Sequence, residues 1–134
     1  MTLTVKVISP DQTLLDTVAE EVILPSSTGQ LGILSDHAPL ISALEIGVLR
    51  FRKDKAWTAI ALTGGFAEVE ENEVTVLVRG GELGSDINPE EARQALAKAE
   101  EAFANVKAED KQGKIQAEQN LRKARARVQA TVAI

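Results

Sequence analysis

The sequence predicts an α+β protein, with an antiparallel β-sandwich over residues 1–86 followed by an antiparallel two-helix hairpin over residues 87–134. Three observations carry this reading. Residues 1–87 hold 24 Val, Ile and Thr against 7 Ala, whereas residues 88–134 hold 6 against 12. β-branched side chains suit pleated strands, and Ala suits helices because it loses no side-chain entropy there. Glycine divides the same way, eight before residue 88 and one after. Finally, the apolar period changes from two to three or four at the same place. Strands first and helices second argue against an alternating βαβ sheet.

Taken in order, Leu3-Thr4-Val5-Lys6-Val7 alternates as a half-buried strand, and Ser9-Pro10-Asp11-Gln12 supplies turn chemistry through a fixed φ and an Asx side chain. Further strands are predicted over Thr17–Leu24, Gly32–Leu34, Leu40–Leu44, Gly47–Arg52, Thr58–Leu62, Phe66–Glu70 and Glu73–Val78, each short and bounded by turn residues. That spacing suits a sandwich. Glu71-Asn72 reads as a two-residue hairpin turn, flanked by Phe66 and Val69 on one side and Val74, Val76 and Val78 on the other as packing candidates. The stretch Arg79 to Asp86 is Gly-rich and hinge-like. Asn88-Pro89-Glu90-Glu91 then opens a helix: Asn88 caps, Pro89 needs no donor at the first position, and Glu91 is placed to reach back. Ala92, Leu96, Ala99, Phe103 and Val106 form its apolar stripe, over about 27 Å. A second helix from Asp110 carries the stripe Ala117, Leu121, Ala124, Val128, Thr131 and Val132, and the alanines allow close antiparallel packing.

Several function classes fall away. There is no Cys and one His, so disulfides, thiolate chemistry and multi-histidine metal centres are excluded. No apolar run approaches the ~20 residues that span a bilayer, and Met1-Thr2-Leu3-Thr4 lacks a signal peptide's basic region, so no direct membrane insertion is expected. Four aromatic residues and a net charge of −5 argue against nucleic acid. Ser35, Asp36 and His37 are the residue types of a hydrolytic triad, but consecutive side chains diverge where a triad must converge. His37 is read instead as a local hydrogen-bonding residue that fixes its loop. Gly64-Gly65 and Gly80-Gly81 are read as turns, since neither pair belongs to a phosphate-binding motif. No catalytic residue, cofactor or metal is expected.

Charge is more informative. Residues 1–86 sum to −7, residues 87–110 to −3 and residues 111–134 to +5. Arg122, Lys123, Arg125 and Arg127 spread over the face opposite the Leu121, Ala124 and Val128 stripe and along its flanks. They are either a solvated face favoured by the helix dipole or an arm for an acidic partner surface. A hairpin of small stripes is also weakly held, because Ala buries little apolar area.

Leu24-Pro25-Ser26-Ser27-Thr28-Gly29-Gln30-Leu31-Gly32-Ile33-Leu34, then Asp36-His37-Ala38-Pro39-Leu40 and Thr63-Gly64-Gly65-Phe66-Ala67-Glu68-Val69, resemble the epsilon subunits of the rotary F-type ATP synthases, most of all those of cyanobacteria and chloroplasts. The resemblance covers the whole chain. It implies a non-catalytic rotor subunit at the foot of the central stalk, bound to the gamma subunit and to the polar loops of the c-ring, on the cytoplasmic or stromal side of a thylakoid membrane. By similarity the ring contact falls on Ser26, Ser27, Thr28, Gly29 and Gln30 and on Asp36 and His37. The family also restrains ATP hydrolysis by extending its helices towards the alpha/beta catalytic head, and Arg122, Lys123, Arg125 and Arg127 match the inhibitory part. One departure stands out: where some bacterial members carry [IL]-D-x-x-R-A for ATP, this chain reads Ile87-Asn88-Pro89-Glu90-Glu91-Ala92. Glu91 replaces the arginine and repels phosphate, so ATP binding is not expected. The rival reading is a free-standing small-ligand binding sandwich that dimerises through its helical tail.

Overall fold

The computed structural model describes residues 1–132. Eight strands, β1 (Leu3–Ile8), β2 (Thr13–Ala19), β3 (Glu21–Ser26), β4 (Gly29–Leu34), β5 (Leu40–Lys53), β6 (Ala56–Glu70), β7 (Glu73–Val78) and β8 (Gly81–Leu83), precede two helices, α1 (Pro89–Ala104) and α2 (Lys111–Ala130). The strand order is β2-β1-β7-β6-β5-β3-β4, with β8 paired to β6. Every pairing is antiparallel except β1 with β7.

Two long strands make this one ladder into a sandwich. The first half of β5 pairs with the second half of β6, which also pairs with β7; the second half of β5 pairs with β3 and the first half of β6, which also pairs with β8. The core lies between the layers thus formed. Leu3, Val5, Val7, Val74 and Val76 meet Val22, Leu24, Ile33, Leu49, Phe51, Ile60 and Leu62 there, all buried. Period-two alternation places them inward and leaves Thr4 and Lys6 less covered.

Several boundaries differ from expectation. Thr17–Leu24 is two strands, because at Glu20 the chain leaves β1 and its amide donates instead to the carbonyl of Arg52, 2.8 Å away. Leu40–Leu44 and Gly47–Arg52 are one strand, as are Thr58–Leu62 and Phe66–Glu70. Gly64 and Gly65 are therefore not a turn: they lie within β6 with φ of 95° and 154°. Gly81 likewise starts a strand. The expected hinge is ordered, as β8 and a 3₁₀ turn at Gly84–Asp86. The Glu71-Asn72 turn forms as expected, both residues with positive φ between the paired Glu70 and Glu73.

Asn88 caps α1 by accepting from the amides of Glu90 and Glu91 at 3.0 and 3.1 Å. The bond back from Glu91 to Asn88 is not made among the described residues. Asp110 caps α2, accepting from Gly113 at 2.9 Å. Ala117, Leu121 and Ala124 are buried as the stripe predicts, Val128 and Thr131 are half-buried, and Val132 is exposed. On α1 only Ala92 is fully buried. Ala126 and Ala130, outside the predicted stripe, are buried against Val48, Ala59, Ala61, Ile87 and Ala92. α2 is thus the middle layer, between the sandwich and α1.

Candidate functional site

The segment expected to face a ring is a tight β-hairpin between β3 and β4. Ser26 pairs with Gly29, leaving Ser27 and Thr28 as the turn. Gly29 has φ of 122°, in the region that a side chain disfavours. Ser26 is buried, and its hydroxyl donates to the carbonyl of Gly29 at 2.5 Å and accepts from the amide of Thr28 at 3.3 Å. It is the brace of the turn. Ser27, Thr28, Gly29 and Gln30 are exposed, forming an uncharged polar tip.

Asp36 and His37 lie at the other end of β4, whose six residues span about 20 Å. The structure therefore does not gather the two groups into one loop. Asp36 adopts φ of 66°; its amide donates to Asn72 Oδ1 at 2.5 Å, and Asn72 Nδ2 donates back at 3.3 Å. This ties the β4–β5 turn to the β6–β7 turn. His37 Nδ1 lies 2.6 Å from the carbonyl oxygen of Ala38, a local loop-fixing contact of the kind expected.

The cationic helix divides into two kinds of residue. Arg127 Nε and Nη2 donate to the two carboxylate oxygens of Glu82 on β8 at 2.9 and 3.3 Å, a bidentate pair. This hydrogen bond holds the Arg127 pKa above its ordinary value against partial desolvation, helped by the charges of Glu82 and Glu91. Arg122 reaches Glu45 on β5 at 3.5 Å. Lys123 and Arg125 are exposed, with no ion pair among the described residues. Half of the expected inhibitory contact is thus turned onto the sandwich.

One surface was missed in the sequence. Ile41, Phe66 and Leu77 are all more than half exposed on one outer face, and Phe66 and Leu77 stand directly opposite each other across β6 and β7. Ala67 and Val76, paired beside them, are buried. Phe66 and Val69, both expected to pack inward, differ by an odd number of positions and so lie on opposite faces. That parity was the available signal.

Among the described residues no group of three or more His, Asp or Glu is placed to hold a metal, and no helix is long and apolar enough to cross a membrane. The prominent surfaces are a polar tip, an apolar face and a docked basic helix. These are the parts of a docking subunit. A family model described as the ATP synthase Delta/Epsilon chain beta-sandwich domain matches residues 2–84, and the companion long alpha-helix domain matches residues 85–131. The ATP synthase epsilon chain of Synechococcus elongatus is 63% identical over 130 residues, covering 97% of this chain and 95% of that one. The epsilon chain of Nostoc punctiforme is 62% identical over 132 residues, covering 97% and 96%. This chain belongs to the ATP synthase delta/epsilon family. Its fold is shared with a chain in the cryo-EM structure of the Euglena gracilis mitochondrial ATP synthase OSCP/F1/c-ring assembly, at TM-score 0.82 and 19% identity, covering 98% of this chain and 82% of that one. A chain of the Tetrahymena thermophila central stalk and c-ring aligns at TM-score 0.61 and 17% identity, covering 98% of both.

Proposed function

We propose that this chain is a non-catalytic rotor subunit of a proton-driven F-type ATP synthase, joining the gamma subunit to the c-ring and restraining ATP hydrolysis through its C-terminal helices. The observation that carries it is the match of both family domains, in order, across residues 2–131, together with identity of 62–63% to epsilon chains over nearly the full length. The surfaces are then assigned by their chemistry. The apolar face of Ile41, Phe66 and Leu77 suits a permanent interface with gamma, where burial of large side chains supplies affinity. The tip at Ser27–Gln30, braced by Ser26, suits the polar loops of the ring, because small uncharged residues allow close backbone approach. Asp36 and His37 serve as a second, separate contact on the ring side. Lys123 and Arg125, with Arg122 and Arg127 when released, face the alpha/beta head. The assembly sits on the cytoplasmic or stromal side of a thylakoid membrane.

Binding to purified gamma tests the central claim. Phe66→Glu and Leu77→Glu change exposed side chains, so the fold is retained while gamma affinity falls by roughly 10- to 100-fold, as for loss of a central apolar anchor. Circular dichroism verifies the fold, and calorimetry reads the affinity. An isolated dimer with no affinity for gamma would overturn the rotor reading in favour of the free-standing sandwich.

A further inference from the structure

The docked hairpin uses little apolar surface. From the hairpin Ala92, Ala126, Ala130 and the half-buried Val128 meet Val48, Ala59, Ala61 and the half-buried Ile46 of the sandwich, with Ile87 of the connecting segment, and alanines bury small areas. The seat is nevertheless close. A Cβ on Gly84 would collide with the carbonyl oxygen of Ala130 and lie 3.1 Å from that of Ala59, so the end of α2 rests on bare backbone. Around this narrow seat stand the polar contacts. Arg122 and Arg127 lie on either side of Ala126 and reach Glu45 and Glu82, while Arg50 Nη2 donates to the carbonyl of Gln129 at 3.3 Å.

We infer that Glu45 and Glu82 act as intramolecular substitutes for an acidic partner surface, so that the sandwich and the partner compete for Arg122 and Arg127 and the docked hairpin is held in its non-inhibitory state. This rests on the proposed inhibitory role of α2. The partner must then offer carboxylates to two arginines five residues apart, about 7.5 Å along the helix axis. Lys123 and Arg125 are exposed, with no ion pair among the described residues while the hairpin is docked, and can make the first, steering contact with such a surface.

The chain has no cysteine, so spin labels at Asp11→Cys and Lys107→Cys report the sandwich-to-hairpin distance without background. In the full chain, Glu45→Gln with Glu82→Gln is expected to add a longer-distance population. Partly exposed pairs shift such an equilibrium by roughly 1.4- to 5-fold each, hence roughly 2- to 25-fold together. In the assembled complex the same variant is expected to hydrolyse ATP two- to tenfold more slowly than the parent. Gly84→Ala, which unseats the helix with all charges retained, is expected to act in the same direction. Glu82→Arg with Arg127→Glu is expected to restore the docked distance that Glu82→Arg alone loses. An unchanged distance distribution in Glu45→Gln with Glu82→Gln would overturn the inference. If the distance lengthens but removal of residues from Asp110 onward leaves hydrolysis unchanged, the latch stands and the inhibitory reading beneath it fails.

Discussion

At Gly65 a Cβ would collide with the carbonyl oxygen of Leu77 and lie 2.9 Å from the Cα of Val78, and the residue's φ of 154° is one that side chains rarely adopt. Its neighbour Gly64 has φ of 95°. Together they let β6 change direction while its ladder with β5 and β7 continues, so the absence of two methyl groups is what lets one strand serve both layers. Gly65→Ala is expected to cost about 3 kcal/mol through backbone strain and overpacking. That corresponds to a melting temperature lower by roughly 10 °C in a chain of this size. Thermal unfolding monitored by circular dichroism checks it, and a loss under 2 °C would mean that the strands can separate freely there. Gly32, by contrast, has only the far end of the Glu21 side chain near its Cβ position, and Gly32→Ala is the matched control.

At the scale of elements, α2 is the most informative, because it is buried on two sides and charged between them. Its stripe at Ala117, Leu121 and Ala124 was legible from the period of three and four, while Ala126 and Ala130 were not. Ala126 between two arginines and Ala130 after Gln129 have no apolar signature, and their burial is decided by what the sheet presents, not by the helix itself. Most strands were similarly legible, but β8, read as turn and hinge, was not, and neither was strand extent. Turn-forming glycines are the only local sign of an end, and at Gly64-Gly65 they mark a bend with the hydrogen bonds retained. Asp36 and His37 stand at the far end of β4 from the Ser27–Gln30 tip for a related reason: the predicted strand over Gly32–Leu34 extends back to Gly29, so the residues between the two groups are held extended. Because Lys123 and Arg125 make no ion pair with the sandwich, Lys123→Ala with Arg125→Ala separates partner contact from docking. Hydrolysis by the assembled complex is expected to rise by two- to fivefold with the melting temperature unchanged, and deletion from Asp110 onward to raise it further. Equal hydrolysis in all three would make the helix a solvated face and nothing more.

On the scale of the whole molecule, the principal core draws every one of its buried residues from strands β1 to β7, and only the smaller cluster joins sandwich to helices. Residues 1–86 are therefore expected to fold alone and to retain gamma affinity within about threefold. Losing Ala126 and Ala130 uncovers Val48, Ala59 and Ala61, and the melting temperature is expected to drop by roughly 5 °C. Calorimetric unfolding and gamma titration of the fragment are the measurements. A fragment without a cooperative transition would make the helices part of the sandwich's own foundation.

The continuous β5–β6 ladder has a mechanical meaning. It runs in register from Leu40 opposite Val69 to Lys53 opposite Ala56, interrupted only near Glu45, and crosses from one layer of the sandwich to the other. Antiparallel hydrogen bonds lie perpendicular to the strands. A force applied along the strands loads all of them at once, as rivets in shear, whereas a force across the strands peels them one by one. Neither long strand contains a loop at which the two layers could swivel. A subunit clamped on one face and pushed at its tip then behaves as a single stiff beam, and the compliance of the molecule is confined to the helices hung on its outside.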